Sequence, residues 1–213
     1  MSDANISRNV RLYPWYTALF NAFFWMPVFF LYFGEHLTLG QVLTLESIYY
    51  VAVVVMEVPS GYMSDRLGRR LTLGVSALAL LAAYLLFFFS SDFAMFAVAQ
   101  VLLAGGIAFN SGTDTSFHHD SLAALDRDDE YKDREAIVTR NALFASALAA
   151  VGGGLAASFE LRFAYLLSAV AAAGSVIMIA LFVEPDVETD GAAREPALTF
   201  GPQMRAVVGQ LRR

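Results

Sequence analysis

The chain contains no cysteine. Disulfides, thiolate metal sites and cysteine nucleophiles are therefore excluded. Charge is scarce as well: Asp, Glu, Lys and Arg make up 16% of the 213 residues, against about 25% in soluble domains. The charges that remain lie in short blocks, so the net charge of −6 does not describe a partner surface. No zinc signature is present, nor a serine–histidine pair at a workable depth, so an enzyme is not expected. A short apolar core with a small-residue cleavage site is also missing. Residues 1–11 are polar and lead straight into a full-length apolar segment, which reads as no cleaved signal peptide.

What is abundant is apolar sequence, at 57% hydrophobic and 14% aromatic residues. A membrane-spanning helix needs about 20 mostly apolar residues. Six stretches qualify, at 12–34, 39–62, 71–89, 93–116, 138–159 and 162–183. Unpaired backbone groups are not tolerated in lipid, so these spans are expected to be helices. Three connections are short ("GEHLT", "SSD", "ELR"), which predicts an up-down bundle. On the other side lie "SDRLGRR", a charged run over 118–137 and the tail after Glu184. That side and the termini hold every Lys and Arg except Arg162. The asymmetry predicts that both termini are cytoplasmic. The expected organisation is a cytoplasmic segment 1–11, a six-helix domain 12–184 and a cytoplasmic linker 185–213 ending in an amphipathic helix. Residues 126–141 are charged and predict an amphipathic connector between spans four and five.

Ionisable groups within a membrane are costly, so they usually face the bundle interior. Thr17, Asn21 and Trp25 follow Tyr13 at intervals of four, which would put them on one helix face. Asn110, Asp114 and His118 repeat that spacing in span four. With Glu46 in the outer half of span two, these two stripes mark Thr17, Asn21, Trp25, Glu46 and Asn110 as cavity-lining candidates. Glu57 lies about 27 Å along span two and Asp114 about 31 Å along span four, both from the outer side. Glu57, Asp114 and Asp120 are therefore candidates for one polar cluster at an inner gate, structural or coupled to protons. His118 and His119 are expected at the headgroup boundary, solvated, and adjacent residues of "HHD" point to different faces, so no metal site is expected. Spans three and six carry little polarity beyond Ser76, Tyr84, Ser168 and Ser175, and are expected to face lipid as outer supports. "GGIAFNSG" (105–112) and "GGG" (152–154) permit close helix approach or a bend.

One connection has fixed spacing as well as polarity. "GYMSDRLGRR" (61–70) supplies Gly61, Asp65, Arg66, Gly68, Arg69 and Arg70. It resembles the signature loop of the major facilitator superfamily, G-x-x-x-D-R-x-G-R-R, with every defined position filled and in the family's place between spans two and three. "EVPSG" upstream and "SGTDTSFHHDSL" after span four look like bacterial members. The resemblance covers all six spans. It implies an all-α membrane fold of six helices as two inverted three-helix repeats, half of a twelve-span transporter. It also implies a role for the loop as a conformational latch: the aspartate meets a helix end of the other half when the inner gate shuts, and the arginines hold the loop. Two departures stand out. Gln100 occupies the region where members often carry an arginine linked to proton coupling, and span five has glycines without the proline of proton-coupled exporters. Both argue against a proton-coupled drug exporter and leave the fold untouched.

The resulting expectation is half of a secondary active transporter in the cell membrane, bacterial inner membrane by resemblance. It would move a small amphipathic, uncharged or cationic solute by alternating access. The alternative is a six-span scaffold or assembly subunit that does not transport. Expected partners are membrane lipids, a second six-helix half (a C-terminal half or another copy), a small-molecule substrate and protons. No cofactor and no nucleic acid are expected.

Overall fold

Thr38 opens the longest helix. Its hydroxyl accepts from the Gln41 N–H at 3.4 Å, and the Gln41 side chain accepts from the Thr38 N–H at 3.0 Å. This reciprocal cap satisfies two donors that the first turn leaves orphaned. Asp92 caps another helix by accepting from the Met95 N–H at 3.1 Å. Glycines mark two sharper joints. Gly68 has φ +103° and Gly112 has φ +73°, a region that a residue with a Cβ enters at a cost. Gly68 ends one helix and begins the next, and Gly112 begins a helix two residues after the previous one ends.

The computed structural model describes residues 3–185. Regular structure among them is entirely helical: α1 (Asp3–Phe20), α2 (Phe29–His36), α3 (Leu39–Leu67), α4 (Arg69–Phe89), α5 (Phe93–Asn110), α6 (Thr113–Ala123), α7 (Tyr131–Ala157) and α8 (Arg162–Leu181). Five helical stretches are long and apolar enough to cross a membrane: Leu39–Leu67, Arg69–Phe89, Phe93–Ala123, Asp128–Ala157 and Arg162–Leu181. The amphipathic helix expected within 185–213 lies outside the described residues.

The first apolar segment differs from expectation. Rather than one helix over 12–34, it is α1 and α2 separated by turns over 21–28. Pro27 lacks an N–H and biases Met26 away from helix. The Asn21 side chain donates to the Thr17 carbonyl at 2.8 Å and takes up an acceptor at the end of α1. Irregular backbone at this depth needs partners from the protein, and neighbouring helices supply them. Ser146 Oγ donates to the Asn21 carbonyl at 2.7 Å, and the Trp25 N–H donates to Ser168 Oγ at 3.2 Å. Gly153 makes the contact possible. A Cβ there would sit 1.9 Å from the Phe24 carbonyl oxygen. The glycine run in α7 is therefore the seat of the broken segment. It follows that Trp25 does not share a helix face with Tyr13 and Thr17.

Spans three and six, now α4 and α8, are not the outermost helices of this unit. They pack against each other and, with α5, hold much of the buried surface. Ser76, Tyr84, Ser168 and Ser175 are all buried. Ser76 Oγ donates to the Gly106 carbonyl at 2.5 Å, and a Cβ on Gly106 would lie 2.4 Å from Leu80. The expectation failed because hydrocarbon is as apolar as leucine, so low polarity does not mark a lipid-facing helix. Small residues that allow close packing mark the interior. α3 and α7 instead leave apolar rows uncovered, including Val51, Val54 and Val55 on one and Leu148, Val151 and Leu155 on the other.

The connector at 126–141 is not a separate helix either. Asp126, at φ 54°, and a 3-10 turn at Asp128–Glu130 lead into α7, which runs unbroken from Tyr131 into the apolar span. Far from this end, an aromatic cluster closes the bundle. Tyr32, Phe33, Phe87, Phe96 and Tyr165 pack with ring centroids 4.7–6.5 Å apart, and Tyr32 Oη donates to the Phe87 carbonyl at 2.5 Å.

Gly153→Ala is expected to destabilise the protein by about 2 kcal/mol or more, because the backbone of the broken segment has to move. Gly154→Ala, whose Cβ meets nothing within 4 Å, should stay within about 0.5 kcal/mol. Thermal unfolding of the two purified variants in one detergent checks the contrast.

Candidate functional site

The end of the bundle that carries the arginines holds two separate polar assemblies. The first is built around the joint at Gly68. The Glu184 carboxylate accepts from the Arg69 N–H at 2.7 Å and from the Arg70 N–H at 2.8 Å. An anion on the free N–H groups of a helix N-terminus is favourable in hydrogen bonding and in the field of the helix. A Cβ on Gly68 would come within 3.0 Å of that carboxyl group, so the glycine also gives Glu184 its place. Arg70 returns the arrangement at the other helix. Its Nε donates to the Ile179 carbonyl at 3.2 Å and its Nη2 to the Ala180 carbonyl at 3.1 Å. The start of α4 and the end of α8 thus cap each other.

Arg69 reaches the opposite way. Its Nε donates to Asp120 of α6, and its Nη1 to Ser64 Oγ at 3.4 Å. Arg66 lies over the Tyr62 ring at 5.6 Å. Asn9 of α1 joins the same region: its side chain exchanges hydrogen bonds with the backbone of Val183 at 2.7 and 3.0 Å and donates to Ser121 Oγ at 3.3 Å. Asp65 stands apart. Its carboxylate only reaches 4.0 Å from Arg69 Nη1, and its side chain is 76% exposed. Gly61, one turn earlier, has open space around it.

The second assembly is interior, between α1, α6 and α7. Tyr16 Oη donates to Asn110 Oδ1, and Asn110 Nδ2 donates to Asp114 Oδ2 at 3.1 Å. The joint at Gly112 falls inside the four-residue repeat, yet Asn110 and Asp114 still meet across it. His118 places Nδ1 2.7 Å from Glu135 Oε2 and stacks on Tyr13, with centroids 4.2 Å apart. His118 is 1% exposed, so the solvated boundary position expected for it is corrected; His119 is exposed beside Asp120, at 3.6 Å. The two adjacent histidines turn to different carboxylates.

The remaining candidates fall elsewhere. Thr17 Oγ1 donates to the Tyr13 carbonyl at 3.0 Å, within its own helix. Thr17 and Asn21 therefore finish α1, and Trp25 lies in the break with its Nε1 donating to Tyr84 Oη at 3.2 Å. Glu46 accepts from Gln100 Nε2 at 3.1 Å, a pair between α3 and α5. Glu57 is exposed on α3. The single inner cluster expected from helix depth is thus divided, with Asp114 in the interior assembly, Asp120 beside the loop and Glu57 outside both. Depth along a helix carries no information about which face a side chain takes.

Residues 15–116 match the family model described as Major Facilitator Superfamily. The match spans just under half of the chain and makes this stretch similar to that superfamily. The family is one of transporters, and the protein is a multi-pass membrane protein with a transport-type domain. No curated protein matches the chain. The match holds the whole facilitator loop, 61–70, and stops in α6. Asp120, Glu135 and Glu184, three carboxylates that organise this end, lie beyond it.

Glu135, Glu184 and Asn9 were not singled out by sequence reasoning. Glu184 had a signal, as an acid directly after an apolar span that ends beside a basic loop. Asn9 and Glu135 had none, because they sit in polar stretches where charge is ordinary. Glu184→Ala should cost about 1–2 kcal/mol through the lost cap of α4. Glu184→Gln, which keeps one acceptor, should cost less. Melting of the purified variants in detergent tests the order, and equal losses would mean that the one remaining neutral acceptor contributes nothing to the cap.

Proposed function

We propose that the chain is the N-terminal six-helix half of a secondary active transporter and works with a second six-helix half by alternating access. In this reading the broken α1–α2 segment supplies the sixth span, the six spans form two inverted three-helix repeats, and both termini are cytoplasmic. The arginine-rich end is then the cytoplasmic end, as the charge asymmetry favours, in a cell membrane that is the inner membrane of a bacterium. The solute is small and amphipathic, uncharged or cationic. Acidic groups (Glu46, Asp114) and aromatic rings line the helices away from the ends, and Arg and Lys cluster at the ends.

The observation that carries the reading is the split within the facilitator loop. Gly68, Arg69 and Arg70 are spent on internal caps and an ion pair, and Asp65 is left exposed at the end of α3. A carboxylate in that position suits the N-terminal end of a helix from another half. Gly61, Asp65, Arg66, Gly68, Arg69 and Arg70 then form the latch of the inner gate. The uncovered rows on α3 and α7 lie on the helices that would meet that half, either a C-terminal half or a second copy. Asp114 and Asp120 act at the gate, and Glu46, Asn110 and Trp25 line the path above it.

Asp65→Asn is expected to reduce solute flux at least about tenfold in the complete assembly, since it removes the charge that favours the closed inner gate. Membrane insertion should be unchanged. Flux of labelled organic cations and neutral amphiphiles into proteoliposomes, with protein content matched by blotting, measures this. Wild-type flux in the variant would sink the latch.

A further inference from the structure

His118 takes no part in the loop's ion pairs, yet it is among the most enclosed polar residues of the chain. Groups that can change charge face it from each helix around it. Tyr13 stacks on it from α1. Tyr131, with its centroid 5.8 Å away, and Glu135 face it from α7. On its own helix, Asp114 lies one turn before it, and its neighbour His119 also contacts Tyr131, at 5.2 Å. Tyr13 Oη is buried here and has no hydrogen-bond partner among the described residues. Native interiors rarely keep such a group, and one that persists calls for an explanation. A second arrangement in which the hydroxyl finds an acceptor supplies it.

We propose that His118 and Glu135 form a proton-binding pair whose charge state sets how firmly the first turns of α7 are held against α1 and α6. Imidazole is the side chain whose charge ordinarily changes near physiological pH. Uptake of one proton from water turns a hydrogen bond between a neutral ring and a carboxylate into an ion pair. Release returns that proton to water, and no other covalent bond changes. The carboxylate already assists that bond by its charge, and protonation of the ring adds the attraction of a full opposite charge. The protonated pair therefore clamps α7, and the neutral pair loosens it and lets Tyr13 reach a carboxylate. Val138, one turn beyond Glu135 and buried in the core, is uncovered when the clamp loosens. The proposal deepens the transporter reading, because this clamp would act on its inner gate, but its test needs no transport.

The chain has no cysteine, so a single introduced thiol reports alone. Val138→Cys is labelled with a maleimide across pH in the purified full chain, and each rate is divided by that of the exposed Lys132→Cys, which removes the thiol's own pH dependence. The ¹⁵N-imidazole signal of His118 is assigned by subtraction with His36→Gln and His119→Gln. The expected result is a titrating His118 signal and a normalised Val138→Cys rate that falls roughly fivefold on protonation, with the same midpoint. Glu135→Gln, close in shape, should leave the rate flat. A His118 signal that does not titrate overturns the proposal. So does a constant normalised rate, or a pH dependence that survives in Glu135→Gln. Titration and pH-dependent labelling in a protein without flux would support the clamp and count against the transporter reading alone.

Discussion

Two oxygen atoms of Glu184, each accepting a backbone N–H at the start of α4, hold the arginine-rich end of this protein in shape. The joint at Gly68 turns the chain between two long helices, and such a turn leaves the next helix with unsatisfied donors. A carboxylate brought from the end of α8 satisfies two of them. Arg70 satisfies carbonyls at the end of α8 in turn. Once these two ends are tied, Arg69 is aimed at Asp120 and Asp65 is left facing outward. The exposure of Asp65 follows from the occupation of its neighbours.

The two polar assemblies have different physical characters. The loop assembly consists of caps and ion pairs near water, with partners drawn from α1, α3, α4, α6 and the residues after α8. Its bonds tie these parts of the chain into one corner. The interior assembly is built from aromatic rings, amides and acids under tight packing, and among the described residues it leaves the Tyr13 hydroxyl without a hydrogen-bond partner. Under the proposed transporter function, a corner tied in this way suits a lever that keeps its geometry through a rocking motion. An incompletely satisfied interior suits the place where arrangements are exchanged. α6 touches both, with Asp120 on one side and Asp114 and His118 on the other.

Much of the architecture was legible from composition and spacing. Five apolar stretches coincide with helices long enough to cross a membrane, and the loop pattern at 61–70 names the family that the match over 15–116 supports. The break in the first segment was not legible, because a single proline and an asparagine do not stop a helix in an apolar run. Tertiary contacts to Ser146, Ser168 and Gly153 decide it. The interior of the bundle was misjudged for a related reason. In lipid, hydrophobicity no longer sorts inside from outside, and the small residues of α4 and α8 carry the signal. Asn110 and Asp114 were brought together by spacing, but His118 and Glu135 needed the path of α7 to meet.

The 1.9 Å between a Cβ on Gly153 and the carbonyl of Phe24 has a consequence for descent. Position 153 and the shape of residues 21–28 form one heritable unit, although they stand more than a hundred residues apart. A lineage that acquires a side chain at 153 has to rewind the first segment or push it off α7, and Ser146 and Ser168 then lose the backbone groups they serve. These four sites should therefore drift together.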